Sequence, residues 1–123
     1  MADHNDFGKI AEDLAAGHLQ KNGYRILARN FRFQKAEIDI VAEKDEFIII
    51  VEVKARSTDA FMLPQEAVTR TKMRSIVSAA NHYLEESGKQ NEVRFDIISV
   101  LPDNKRNLII DHIIDAFQAF DAN

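Results

Sequence analysis

Residues 36–56 read AEIDIVAEKDEFIIIVEVKAR, and this stretch decides the fold. Its first part alternates strictly. Glu37, Asp39 and Val41 fall on one side and Ile38, Ile40 and Ala42 on the other, the pattern of a half-buried strand. Its second part, Phe47 to Val53, is almost wholly β-branched or aromatic, which suits a strand covered on both faces. The charged break Glu43-Lys44-Asp45-Glu46 joins the two as a β-hairpin.

A four-residue turn at this break sets Ala42 opposite Phe47, Asp39 opposite Ile50 and Glu37 opposite Glu52. Glu37, Asp39, Ile48, Ile50, Glu52 and Lys54 then share one face of the sheet, with Asp39 and Glu52 diagonal neighbours about 7–8 Å apart at the backbone. Two like charges beside a buried apolar strand repel each other and lose hydration, a cost that a cation or a proton between them removes. Alone, a Glu-x-Lys tripeptide at a strand end is as well explained by a solvated ion pair. Here Glu52-Val53-Lys54 closes a buried-type strand, the hairpin partner supplies Asp39, and Glu37 adds a third acid on the same face. That coincidence points to a metal site.

The rest of the composition narrows the class. A chain of 123 residues fits one domain, residues 1–123, with enough apolar content for a core of its own. Absence of cysteine excludes disulfides, zinc fingers and thiol nucleophiles and suits a reducing cytoplasm. The polar start Met-Ala-Asp-His-Asn-Asp is unlike a signal peptide, and the longest apolar run, Phe47 to Val51, is too short to cross a bilayer. A soluble cytoplasmic protein with no membrane partner is expected. The formal charge of −4 argues mildly against nonspecific nucleic-acid binding, but ten Lys or Arg against eight acids between Arg25 and Arg74 leave that segment at +2. Evenly mixed solvated charge explains this equally well.

Before the hairpin, Asn5 or Asp6 can cap a helix from about Phe7 to Lys21 that stops at Asn22-Gly23, with an apolar stripe of Phe7, Ile10, Ala11, Leu14 and His18. Glu12 flanks that stripe among Ala15, Ala16 and Leu19, small neighbours that let another element come close, though a first-turns acid also suits the helix dipole. Tyr24 to Gln34 reads as a strand with Arg25, Arg29 and Arg32 interleaved with aromatics, a pattern that tracks phosphates and stacks on bases or simply makes one wet face. After Arg56, Ser57 to Pro64 is a loop with Phe61-Met62-Leu63, a candidate mobile segment beside the site.

A long helix from Pro64 to about Ser87 follows, stopped by Gly88, with the stripe Met73, Ile76, Val77, Ala80, Tyr83 and Leu84. Lys72 lies toward its packed side, where a lysine either snorkels or meets an acid, and Arg70 and Arg74 make the helix start basic. Val93 to Leu101 and Leu108 to Ile114 are strands separated by a turn at Pro102-Asp103-Asn104, and Asp115 to Phe120 forms a terminal helix or tail that docks Phe117 and Phe120 on the core. His4, His18, His82 and His112 have no ligand spacing, and no phosphate-binding glycine loop is present.

Helix, strand, acidic hairpin ending in Glu-Val-Lys, basic helix, strand and strand resembles the core of the PD-(D/E)XK nuclease superfamily. More specifically, Gly8 and Glu12, Gly23-Tyr24-Arg25-Ile26-Leu27 with Asn30, Glu37-Ile38-Asp39, Val51-Glu52-Val53-Lys54-Ala55-Arg56, Pro64 with Glu66-Ala67-Val68, Lys72 and Arg94-Phe95-Asp96 resemble the YraN family of small bacterial proteins over roughly the first hundred residues. The chain departs from that pattern at Ala11, Ala36 and Met62, where glycine is favoured.

The resemblance implies an α/β fold with a restriction-endonuclease-like α-β-β-β-α-β core, a mixed sheet flanked by helices, and a site like that of archaeal Holliday-junction resolvases. It implies that Asp39, Glu52 and the main-chain carbonyl of Val53 hold Mg²⁺ or Mn²⁺, that Glu37 and Glu12 support the shell or meet a second ion, and that Lys54 orients the attacking water. Arg56, Lys72, Arg29 and Arg32 are the candidate nucleic-acid contacts. The implied activity is hydrolysis of phosphodiester bonds in DNA, including branched or irregular structures, by a possible homodimer. A nuclease-like fold that grips nucleic acid without cutting it, or a protein-interaction adaptor using Phe61-Met62-Leu63 and the acidic tail, are the alternatives.

Overall fold

The computed structural model describes residues 4–56, 68–103, 105 and 107–122. In chain order these form α1 (His4–Lys21), β1 (Arg25–Phe33), β2 (Ala36–Lys44), β3 (Phe47–Ala55), α2 (Arg70–Ser87), β4 (Glu92–Pro102), β5 (Leu108–Phe117) and a closing 3₁₀ turn, Ala119–Ala122. The strands make one sheet in the order β1-β2-β3-β4-β5. Only the β3–β4 pair is parallel, as a connection carrying a helix requires, so the sheet is mixed. The expected α-β-β-β-α-β order with flanking helices is therefore present. The loop at Ser57 to Pro64 with Phe61-Met62-Leu63, the helix start at Pro64, Glu66-Ala67 and the turn residue Asn104 lie outside the described residues.

Each sheet face has its own helix. Ala11, Ala15, Ala16 and Leu19 of α1 pack on Ile40, Ala42, Ile49, Val51, Ile98 and Val100, while Ile76, Ala79 and Ala80 of α2 pack with Val41, Ile48, Ile50, Phe95, Ile97 and Phe117. Continuous burial from Ile48 to Glu52 follows, because β3 is sandwiched between the two helices. The α1 contact differs from the expected stripe. Alanines face the sheet, Phe7 and Leu14 pack at the margin, and Ile10 is left 43% exposed. Small side chains bring the helix axis closer to a sheet already studded with isoleucines, which rotates the helix away from its bulkier residues.

Four boundaries differ from expectation. Helix α1 begins at His4, so Asn5 and Asp6 lie inside it instead of capping it before Phe7. The hairpin turn is two residues, with Lys44 opposite Phe47 and both Asp45 (φ 51) and Glu46 (φ 72) left-handed, the backbone that matches strand twist. The register is thereby two residues away from a four-residue turn. Helix α2 begins at Arg70, where the Thr69 side chain accepts the Lys72 N–H at 3.1 Å, and ends at Gly88 (φ 72), whose N–H donates to the Leu84 carbonyl. Finally, β5 runs on to Phe117. An irregularity opposite Phe95–Ile97, with Asp115 at φ 57, re-aims the strand so that Phe117 stacks on Phe95 at 5.0 Å, whereas Phe120 is 70% exposed and Ala122 is buried instead. No helix among the described residues is long and apolar enough to cross a membrane.

Candidate active site

The β2–β3 ladder pairs Lys44 through Ile40 with Phe47 through Val51. Continuing that register sets Asp39 level with Glu52, and there a side chain takes over. Asp39 Oδ2 accepts the Val53 N–H at 2.7 Å. A carboxylate thus satisfies a backbone donor at the end of the ladder, which fixes the aspartate where a strand partner would otherwise lie. Ile38 leaves the alternation and joins the α2-side cluster.

Glu52 is 6% exposed, one of three buried polar or charged residues among those described. Burial pushes its carboxyl up to about 8, reinforced by a hydrogen bond with Asp39 and by Asp39's charge, against the opposing fields of Lys72 and Lys54. A proton kept on Glu52 relieves the repulsion between the two acids. Lys72 approaches from α2, its Nζ 3.8 Å from Glu52 Oε2, so this lysine does meet an acid. Lys54, two residues beyond Glu52, is half-buried on the same face. Level with it on β4, Ser99 is buried and its hydroxyl has no hydrogen-bond partner among the described residues. Arg56 donates its backbone N–H to the Val100 carbonyl at 2.8 Å, continuing the β3–β4 connection past the strand.

The other candidates pair among themselves. Glu12 Oε1 accepts from Arg29 Nε and from Asn30 Nδ2, each at 3.0 Å, and Arg29 Nη2 also reaches Asp13 at 2.6 Å. The hydrogen bonds it donates to Asp13 and Glu12 hold the Arg29 guanidinium above its usual range against some burial. Arg32 and Glu37 lie 3.5 Å apart at the sheet edge. Glu12 and Glu37 therefore do not join Asp39 and Glu52. Among the described residues no three His, Asp or Glu come together as a metal-ligand group. A pair of oxygen ligands, one of them held by a backbone N–H, still fits a hard cation that keeps several waters.

A second polar centre escaped the sequence reading. Asp96, wholly buried on β4, accepts from Arg94 Nε and Nη2 at 2.9 Å each and from the Asp115 N–H at 3.0 Å, with His112 Nε2 at 2.7 Å. His112 Nδ1 in turn lies 3.2 Å from His18 Nε2, and Arg94 Nη2 donates to Tyr24 Oη at 2.7 Å. Burial opposes ionisation of Asp96, but the bonds from His112, Arg94 and Asp115 together hold its carboxyl below the usual range. Burial, then the fields of His112 and Lys21, lower His18. Every lone pair of Asp96 is engaged, so this centre ties α1, β4 and β5 together and leaves no room for a substrate. Its signal was an Arg-x-Asp alternation inside an otherwise apolar strand. The histidines lie 94 residues apart and carried no spacing to read.

Comparison with known proteins places the chain in context. The sequence model described as "Uncharacterised protein family UPF0102" matches residues 11–100. A UPF0102 protein of Flavobacterium psychrophilum is 48% identical over 120 residues, covering 98% of this chain and all of that protein. One from Bacteroides thetaiotaomicron is 45% identical over 117 residues, covering 95% of this chain and 96% of its own. Among solved structures, SfsA of Pyrococcus furiosus in complex with Ca²⁺ is similar with a TM-score of 0.40 and 16% identity, over 89% of this chain and 61% of that one.

Proposed function

The chain belongs to the UPF0102 family, the YraN family, and from that premise we propose that it is a metal-dependent endonuclease acting on DNA, with branched or irregular structures as the substrate class. One observation carries the reading: two carboxyls from adjacent strands meet at the end of a ladder, Asp39 on the Val53 N–H and buried Glu52 3.8 Å from the Lys72 ammonium, with Lys54 on the same face. Asp39, Glu52 and the Val53 carbonyl would hold Mg²⁺ or Mn²⁺, which supplies Lewis-acid polarisation of a phosphodiester oxygen when bound. Lys54 orients the attacking water and stabilises charge developing on the phosphoryl oxygens. Lys72 and Arg56 position the phosphate. Glu12 acts from a distance, holding Arg29 and Asn30.

That last arrangement also favours the second reading, a nuclease-like fold that binds nucleic acid without cutting it, because a third acid is diverted from the site. Mn²⁺ titration of the wild type and Glu52→Ala against linear, flapped and four-way DNA separates the two. Cleavage by the wild type that is lost in the variant supports the nuclease. Binding by both proteins without metal, and no cleavage by either, rejects it.

A further inference from the structure

We propose that the groove of about 380 Å³ between the β1–β2 turn and α2 binds a backbone phosphate of a nucleic-acid strand, held by Lys35, Arg74 and the hydroxyls of Ser75 and Ser78. The inference rests on the site acting on a nucleic-acid strand and gives that strand a second point of attachment. In a chain of net charge −4, two cations line one groove wall to wall, Lys35 from the turn and Arg74 from the helix. Arg74 is held in place: its Nε donates to the Ala122 carbonyl at 2.9 Å, anchored by the closing 3₁₀ turn. Its terminal nitrogens, and the Lys35 ammonium, have no acceptor among the described residues. A guanidinium held in place with terminal donors unpaired is what an anion recognises, and being preordered it gives up little freedom on binding one, while Lys35 adds a second charge from the exposed turn.

The groove's position suits a strand that also reaches Glu52. Arg74, Ser75 and Ser78 follow Lys72 on the same helix, which places them within about 9 Å along its axis, at 1.5 Å per residue. Phe33 lines the groove as well, its ring stacked on His82 at 4.1 Å, an apolar surface beside the charges of the kind a sugar or base edge would cover. Glu37, which follows the β1–β2 turn at the start of β2, is paired with Arg32 and so does not oppose an incoming phosphate at full strength.

Fluorescence anisotropy with a labelled oligothymidylate and a labelled duplex, in EDTA across about 50 to 200 mM salt, tests this without cleavage entering. Removing the contacts to this phosphate in Lys35→Ala/Arg74→Ala is expected to weaken binding on the order of tenfold and to flatten the slope of log K against log salt by about 0.7 for the single strand or about 0.9 for the duplex. Lys35→Glu, which leaves the Ala122 contact intact, must weaken binding by itself. Lys89→Ala, a charge lost just past the far end of α2, must leave the slope unchanged. Undiminished slopes in the Lys35 and Arg74 variants, or a wild type that binds neither probe, overturn the groove. If the slope falls but Mn²⁺ gives no cleavage, the nuclease reading fails and the groove stands. If Mn²⁺ gives cleavage and the slope is unchanged, the reverse holds.

Discussion

Glu52→Gln replaces a buried acid by its neutral isostere, and its largest consequence is in stability as a function of pH. The folded carboxyl is raised to about 8 from an ordinary 4.5, so between those values the folded state binds a proton that the unfolded state has released. Stability is therefore undiminished below pH 4.5 and is lost progressively as pH rises toward 8. At about 1.36 kcal/mol per pH unit, the interval of 3.5 units sets a ceiling of about 5 kcal/mol. The Lys72 ammonium, 3.8 Å away, is already among the fields that set this value. His18 works in the opposite sense, since its lowered value costs stability as pH falls, so the quantity to follow is the difference between the two proteins. Urea denaturation in EDTA at intervals from pH 5 to 8 should show a wild type that weakens toward pH 8 and a Glu52→Gln protein that does not. Mg²⁺ at a hundredfold excess over its Kd should restore about 2.7 kcal/mol to the wild type at pH 8 and nothing to the variant. Parallel pH profiles would mean that Glu52 is not the group held protonated and that Asp39 and Glu52 do not crowd one another.

Other perturbations test the frame around the site. Thr69→Ala removes the oxygen that accepts the Lys72 N–H and should lower stability by about 1 kcal/mol, read as a shift in denaturation midpoint at constant m-value. Glu46→Gly relieves a left-handed non-glycine residue in the hairpin turn and should raise the midpoint by roughly 0.5–1 kcal/mol; a decrease would show that the turn adopts another backbone. Asp96→Ala strands Arg94 and His112 without their shared acceptor and should cost about 3–5 kcal/mol. Thermal unfolding that is unchanged in that variant would refute the view that the Asp96 centre joins α1 to the sheet. Lys54→Met keeps the stem and deletes the charge. It should abolish Mn²⁺-dependent cleavage while leaving DNA binding within a few-fold of wild type, measured on the same four-way substrate.

The sequence by itself determined the strand and helix identities and placed Asp39, Glu52 and Lys54 on one face. That second result survived an incorrect hairpin register for a physical reason: side chains alternate with a period of two, and the turn is two residues shorter than expected, so the slip moved the pairs along the strand without turning Asp39, Glu52 or Lys54 over. Burial of β3 was legible too, because a run of isoleucine and valine has no other stable place. Only the tertiary structure decided what lies opposite what. It brought Asp39 level with Glu52 instead of diagonal to it, turned Glu12 toward Arg29 17 residues away, and joined His18 to His112 across 94 residues. It also chose alanines over Phe7 and Ile10 for the α1 interface and Phe117 over Phe120 for the core. None of these has a local period to reveal it. Each is settled by which side chains fit when two distant surfaces close on one another, and that competition takes place only in three dimensions.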